Sequence, residues 1–214
     1  MSEELKLKKG TTTVGIVCKD GIVLAADKRA SAGYLVANKD EQKVVQISDN
    51  IAVTTAGLVS DIQLITKLMR AEISLKKIRT SKDPTVKEAA NLMASIVYAN
   101  IRKFSTFQSI VGFLMAGKDN SKGFSLYEIG IDGSLTKSDE YLTDGSGMMV
   151  ALGVLESNYK KGLSIDEGIK LAVRTINAAI QRDTPTGNGI DVFTITSKGV
   201  EKAFTKKVDM TINV

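Results

Sequence analysis

Ten residues into a chain of 214, the sequence reads Gly10-Thr11-Thr12-Thr13-Val14-Gly15, and no histidine occurs anywhere. Without an imidazole, neither a Ser-His-Asp nor a Cys-His mechanism is available, so a hydrolase built from this sequence needs another base near neutral pH. A free α-amine is such a base, titrating near ~8 in unperturbed peptides. Cutting the Gly10–Thr11 bond would put a hydroxyl nucleophile and an amine base on one residue. Taken alone, the threonine run followed by Val14, Ile16 and Cys18 reads first as a β-strand near a sheet edge, because β-branched residues suit strands.

Three further residues gain meaning from where the elements end. Thr13 to Lys19 alternates as a strand, Asp20-Gly21 reads as a two-residue hairpin turn, and 22–26 follows as a strand apolar on both faces. A strand of that kind is covered above and below, so its sheet lies between layers. Asp27 ends it, Lys43 begins a strand running to Ile47, and Gly57 ends another that starts at Ile51. In adjacent strands these ends can converge on the chain start. A buried lysine beside a threonine hydroxyl favours its deprotonated form, and a carboxylate holds that lysine in position and charged. A glycine N–H reaches an acyl oxygen unobstructed and serves as an oxyanion donor. Singly, Asp27 and Lys43 read as ordinary strand-end charges and Gly57 as a terminator.

Apolar residues at spacings of three and four predict helices through Ile62, Ile65, Met69 and Ile73, and through Val86, Ala90, Met93, Val97 and Ile101 after an Asp83-Pro84 start signal. Strand signals return at Ile110 to Ala116 and Phe124 to Ile131, the second closed by Asp132-Gly133. Two more helices are predicted at Met148 to Tyr159 and Ile165 to Arg182, the latter opened by the capping box Ser164-Ile165-Asp166-Glu167. Strands at Gly189 to Thr196 and Val200 to Phe204 follow. Runs of strands and helix pairs in this order predict an α+β layered domain with sheets inside and helices outside.

Composition narrows the function. The chain is 43% hydrophobic with 2 prolines, which argues for one globular domain without long linkers. Its 29 basic residues against 24 acidic ones are scattered, and 5% aromatics without tryptophan give no stacking platform, so nucleic-acid binding is not expected. The basic runs at Lys6 to Lys9 and Arg70 to Arg79 read as solvated faces. A single cysteine, Cys18, and no histidine argue against a disulfide or a metal site and for a reducing, cytoplasmic compartment. MSEELKLKKG lacks the apolar core of a signal peptide, and no later run is long and apolar enough to span a bilayer. No membrane partner is expected.

The blocks GTTTVGIVCKDGIVLAADKRAS, KVVQI, TTAGLVSDIQ, DGSGMMVALGVLESNY and QRDTPTGNGIDV, in this order and spacing over nearly the whole chain, resemble β-type subunits of the proteasome core particle, the archaeal ones above all. That resemblance implies the N-terminal-nucleophile hydrolase fold, a four-layer αββα sandwich, with residues 1–10 a propeptide and 11–214 a single domain. It implies a threonine endopeptidase without cofactor, made as a zymogen and acting on unfolded polypeptides. Partner subunits would be homologous β subunits in seven-membered rings, α subunits, and a regulatory ATPase docked on the α ring. By the resemblance, Thr11 is the nucleophile released by autocleavage after Gly10, Asp27 and Lys43 activate it, and Gly57 is the oxyanion donor. Ser146 stands near the threonine amine, Asp183 orients that serine, and Thr186 takes the place of a third member that is usually serine. The backbones of Ser31, Gly57 and Val59 would pair with an extended substrate. Ala30, Glu41, Val45, Thr55 and Val59 would line the specificity pocket. These are mostly small and apolar, which implies cleavage after medium apolar residues. Glu41 departs from that set: pointing inward it would admit a basic side chain, and otherwise it is surface charge. The family also contains structural, poorly processed β subunits, which usually lack the threonine, the lysine or the preceding glycine; all three are present here.

Overall fold

In the computed structural model, residues 10–105, 108–119 and 123–208 are described. Most of the expected leader, residues 1–9, lies outside them. The chain runs β1 (Thr13–Cys18), β2 (Gly21–Asp27), β3 (Ala30–Ala32), β4 (Leu35–Asn38), β5 (Val44–Ser48), β6 (Ile51–Gly57), α1 (Val59–Thr80), α2 (Val86–Ile101), β7 (Val111–Asp119), β8 (Gly123–Ile129), β9 (Leu135–Ser138), β10 (Tyr141–Asp144), α3 (Met148–Asn158), α4 (Ile165–Arg182), β11 (Gly189–Thr196) and β12 (Gly199–Lys207). Two five-stranded sheets form, in the orders β10-β1-β2-β11-β12 and β5-β6-β7-β8-β9, with β3-β4 as a separate hairpin. Every pairing is antiparallel.

Strand periodicity explains the layering. Val23 and Ala25 of β2 face one way, into a cluster with Leu171, Ala172 and Ile176 of α4. Ile22, Leu24 and Ala26 face the other way and meet Ala52, Leu114 and Leu126 of the second sheet. The fully apolar strand is thus buried along its whole length, as its pattern predicted. On the far side Val53, Phe113 and Met115 pack under Ile65 and Met69 of α1 and Met93 and Val97 of α2. Each such side chain contributes roughly 1.5–3 kcal/mol by leaving water. The result is the α, β, β, α order of an α+β sandwich.

Local details differ from the sequence reading in instructive ways. The first hairpin turns at Lys19 and Asp20, because Cys18 pairs with Gly21 and Gly21 already belongs to β2. That glycine serves a close approach: a Cβ there would lie 2.4 Å from the Ile195 carbonyl oxygen of β11. The start of α2 is capped by Thr85, whose side chain accepts from the Glu88 N–H while Glu88 returns a bond to the Thr85 N–H. The capping box at Ser164 and Glu167 forms as expected. The hairpin β3-β4 and the strands β9 and β10 are additions; each has three or four residues, and β4 is exposed throughout. Strands so short carry little pattern of their own and are stabilised by the neighbours they pair with.

Candidate active site

The entry to β1 lies between two carboxylates. Asp27, at the end of β2, is 1% exposed. It accepts four hydrogen bonds: Thr12 N–H at 3.0 Å and Lys43 Nζ at 2.7 Å on Oδ1, Arg29 N–H at 3.0 Å and Gly187 N–H at 2.9 Å on Oδ2. Lys43 immediately precedes β5, and the side chains of the Lys43–Asp27 pair are 5% and 0% exposed. Burial pushes the Lys43 pKa below its ordinary value, outweighing the attraction of Asp27 and the weaker influence of Glu41 and Asp183. A buried ammonium so placed is a fixed positive charge that needs its partner.

The second carboxylate, Asp183, follows the last turn of α4. Its Oδ2 accepts from Ser146 Oγ at 2.6 Å and from Thr186 Oγ1 at 2.5 Å. Ser146 Oγ in turn accepts from the Thr11 N–H at 3.2 Å. Thr186 therefore sits beside Asp183 with its hydroxyl in use, the added methyl notwithstanding. Two glycines allow Thr11 this position. Gly145 has φ +98°, and a Cβ on it would fall 2.2 Å from the Thr11 carbonyl oxygen, which Gly147 N–H meets at 3.3 Å. The loop carrying Thr186 and Gly187 is fastened by Arg29, which donates to Asn188 Oδ1 and the Thr184 carbonyl, both at 2.7 Å. Thr12, Arg29, Gly145, Gly147 and Gly187 were not singled out from sequence. The two-residue spacing from Asp27 to Arg29 and the glycines flanking Ser146 were the available signals.

Thr11 and Lys43 open onto a cleft of about 450 Å³ that is also lined by Ala30, Ser31, Glu41, Val45, Thr55, Gly57 and Val59. All the residues expected to bind substrate thus border one cavity. Asp27, Ser146, Asp183 and Thr186 stand behind Thr11, outside the lining. Glu41 is half-buried in the wall, its Oε2 accepting from Asn38 Nδ2 at 2.7 Å. The opposite wall is one face of α1, with Ile62, Gln63, Thr66, Lys67 and Arg70, and it makes the cleft more polar than the expected set implied. Arg70 is turned onto the Gln46 carbonyl at 2.7 Å. Gly57 has φ +121°, and a Cβ there would meet the Ile110 carbonyl oxygen at 2.1 Å, so only glycine fits. Gly10 is still joined to Thr11 and its N–H donates to Ser31 Oγ at 3.2 Å. A Cβ on Gly10 would lie 1.7 Å from Pro185 Cβ and 2.9 Å from Ser146 Oγ. Crowding from Pro185 is what excludes a side chain there. Among the described residues, no group of three or more His, Cys, Asp or Glu is placed to hold a metal ion.

A four-layer αββα sandwich, with a threonine at the mouth of β1, is the architecture of the N-terminal-nucleophile hydrolases. The sequence matches the family described as "Proteasome subunit" over residues 7–195, and the chain belongs to that family. It is similar to a "Proteasome subunit beta" of Archaeoglobus profundus, 42% identical over 95% of this chain and 93% of the relative. It is also similar to a "Proteasome subunit beta 1" of Thermococcus kodakarensis, 44% identical over 93% of each chain, and to a "Proteasome subunit beta" of Methanocaldococcus fervens, 38% identical over 98% of this chain and 92% of the relative. Proteasome β subunits are proteases in general. No helix among the described residues is long and apolar enough to cross a membrane.

Proposed function

We propose that this chain is a catalytic β subunit of a proteasome core particle, a threonine-type endopeptidase made as a precursor and activated by cleavage between Gly10 and Thr11. The observation that carries the reading is the buried ion pair of Asp27 with Lys43, the lysine of which lines the cleft that Thr11 shares. In the precursor the Thr11 nitrogen is an amide and cannot act as a base. Thr11 Oγ1 attacks the Gly10 carbonyl carbon, and the C–N bond breaks in favour of an ester as the hydroxyl proton passes to the departing Thr11 nitrogen. Water hydrolyses that ester to free residues 1–10 and leave Thr11 with its hydroxyl and a free amine. The mature amine then takes the hydroxyl proton as Oγ1 attacks a substrate carbonyl and passes it to the leaving amine; water releases the acyl group. Lys43 lowers the cost of the alkoxide by its charge, Gly57 N–H donates to the oxyanion, and Ser146 with Asp183 and Thr186 holds the amine. Ser31, Gly57 and Val59 border an extended substrate, with Ala30, Glu41, Val45, Thr55 and Val59 around its side chain.

Residues 11–214 form the working domain on this reading, and the substrates are unfolded polypeptides admitted to a closed chamber. Exposed apolar residues on α1 and α3, among them Leu64, Leu68, Ile78, Met148 and Met149, support contacts with neighbouring β subunits in seven-membered rings and with α subunits, which a regulatory ATPase would engage. The test is the N-terminal mass and the peptide hydrolysis of the chain recovered from an assembled particle, with Thr11→Ala as control. A chain starting at Thr11 that hydrolyses peptides, against a full-length inert Thr11→Ala, is expected. A wild-type chain that keeps its leader and does not cut would make this a structural subunit.

A further inference from the structure

We propose that Thr12, rather than serving only as the second residue of a strand entry, is a positioning residue for the Thr11 amine, acting through the hydroxyls of Thr186 and Ser146. Thr12 is 0% exposed and Thr186 1% exposed, and their hydroxyl oxygens are 2.7 Å apart. A hydroxyl has one proton to give. Thr186 gives its own to Asp183 at 2.5 Å, so in the Thr12–Thr186 bond the donor is Thr12. The chain of bonds then has one direction: Thr12 to Thr186, Thr186 to the Asp183 carboxylate, with Ser146 donating to the same oxygen from the other side and accepting from Thr11 N–H. Consecutive bonds polarise one another, so donation from Thr12 makes Thr186 a better donor to Asp183.

Thr12 is suited to that task because its backbone is fixed independently. Its N–H donates to Asp27 Oδ1, and its carbonyl accepts the Asp27 N–H at 3.2 Å. One residue therefore ties the charged pair at Asp27 to the hydroxyl group around Asp183. Thr12 does not line the cleft. The charged groups around it are Asp27 with Lys43 on the β2 side, and Asp183 and Arg29 on either side of the 184–188 loop. Without the Thr12 proton, Asp183 is less satisfied and draws harder on Ser146, whose oxygen becomes a stronger acceptor for the amine and favours its protonated form.

The inference rests on the proposed function, and its test separates the two. Thr12→Val deletes the hydroxyl while keeping the β-branched shape and the backbone bonds; Thr12→Ser keeps the hydroxyl. Both are compared with wild type and Thr11→Ala in the assembled particle, reading kcat and KM for a fluorogenic peptide from pH 5 to 10 and the N-terminal mass. Thr12→Val is expected to lower kcat about tenfold with KM within twofold, and to move the acidic limb of the kcat/KM profile to higher pH. Thr12→Ser is expected to stay within threefold of wild type. Thr186→Val probes the same bond from its other end and is expected to move the limb in the same direction. An unmoved limb in both valine variants, or a serine variant as impaired as Thr12→Val, overturns the role of Thr12 while leaving Thr11 as nucleophile. A wild type without Thr11-dependent hydrolysis overturns the proposed function, and this inference with it.

Discussion

Replacing Asp27 by asparagine isolates what the buried pair does, because the shape is kept and one charge is lost. The carboxylate accepts four hydrogen bonds, two on each oxygen. An amide has one oxygen. Placed at the Oδ1 position it retains Thr12 N–H and Lys43 Nζ, but its NH2 then faces the N–H groups of Arg29 and Gly187. Two donors are orphaned, the buried Gly187 N–H at roughly 1–3 kcal/mol and the part-buried Arg29 N–H at less than that, so Asp27→Asn costs about 2–4 kcal/mol of stability. The flipped orientation is worse, since it sets NH2 against the Lys43 ammonium. Against a usual domain stability of about 5–15 kcal/mol, the variant folds but with much of its margin gone. Lys43, whose pKa burial has already lowered, loses its main opposing attraction and titrates lower still. The sign follows: protons leave Lys43 at a lower pH than in wild type, so at any given pH less of the positive charge that the proposed mechanism draws on is present in the cleft that Thr11 shares. Activity is expected to fall about a thousandfold, the size seen when a nucleophile loses its activating partner. The assay is N-terminal mass and peptide turnover, run well below the variant's own melting temperature so that unfolding does not contribute. An Asp27→Asn chain that begins at Thr11 and turns over within tenfold of wild type refutes the reasoning, since the charge of Lys43 would then be irrelevant.

Gly10→Ala sets a methyl against Pro185 and Ser146 and is expected to leave the leader attached by N-terminal mass; complete processing would show that the crowding relaxes freely. Glu41→Gln is expected to lower cleavage after Arg or Lys about tenfold relative to cleavage after Leu, because Glu41 is a negatively charged residue among those that line the cleft; equal responses on a matched basic and apolar peptide pair would reduce Glu41 to surface charge. Asp144→Asn tests a carboxyl whose pKa is raised by burial; that of Glu128 is raised as well, by its own burial first and by the Asp144 charge second. A folded pKa above the unfolded one gives stability that is present at low pH and lost as pH rises through the folded value, so the variant is expected to melt higher than wild type at pH 7.5 and not at pH 4.

What could be seen in the sequence follows from how local each signal is. Asp27 and Gly57 stand at the ends of strands whose patterns are strong, and Lys43 precedes one, so their positions were legible before their roles. Ser146, Asp183 and Thr186 lie on loops before α3 and after α4; their meeting depends on how two helices dock, and only the resemblance pointed to them. The cleft wall from α1 was half visible. Ile62, Ile65, Met69 and Ile73 marked the helix, but nothing local says that Gln63, Lys67 and Arg70 line the same cleft as Glu41. Thr12 was hidden by its neighbour, since a threonine following the candidate nucleophile in a strand-like run carries no separate signal.

The two carboxylates behind Thr11 differ most in their access to water, and that difference assigns their work on the proposed mechanism. Asp27 and Lys43 are sealed, so their charges persist unscreened through each turnover and suit an electrostatic role. Ser146 is exposed and Asp183 half-buried, so protons on that side exchange with solvent. An amine that must take a proton from Thr11 Oγ1 and surrender it to a leaving group needs the second environment, and a hydroxyl that must ionise needs the first. Thr11 meets the second environment through its N–H on Ser146 and borders the same cleft as Lys43, which belongs to the first.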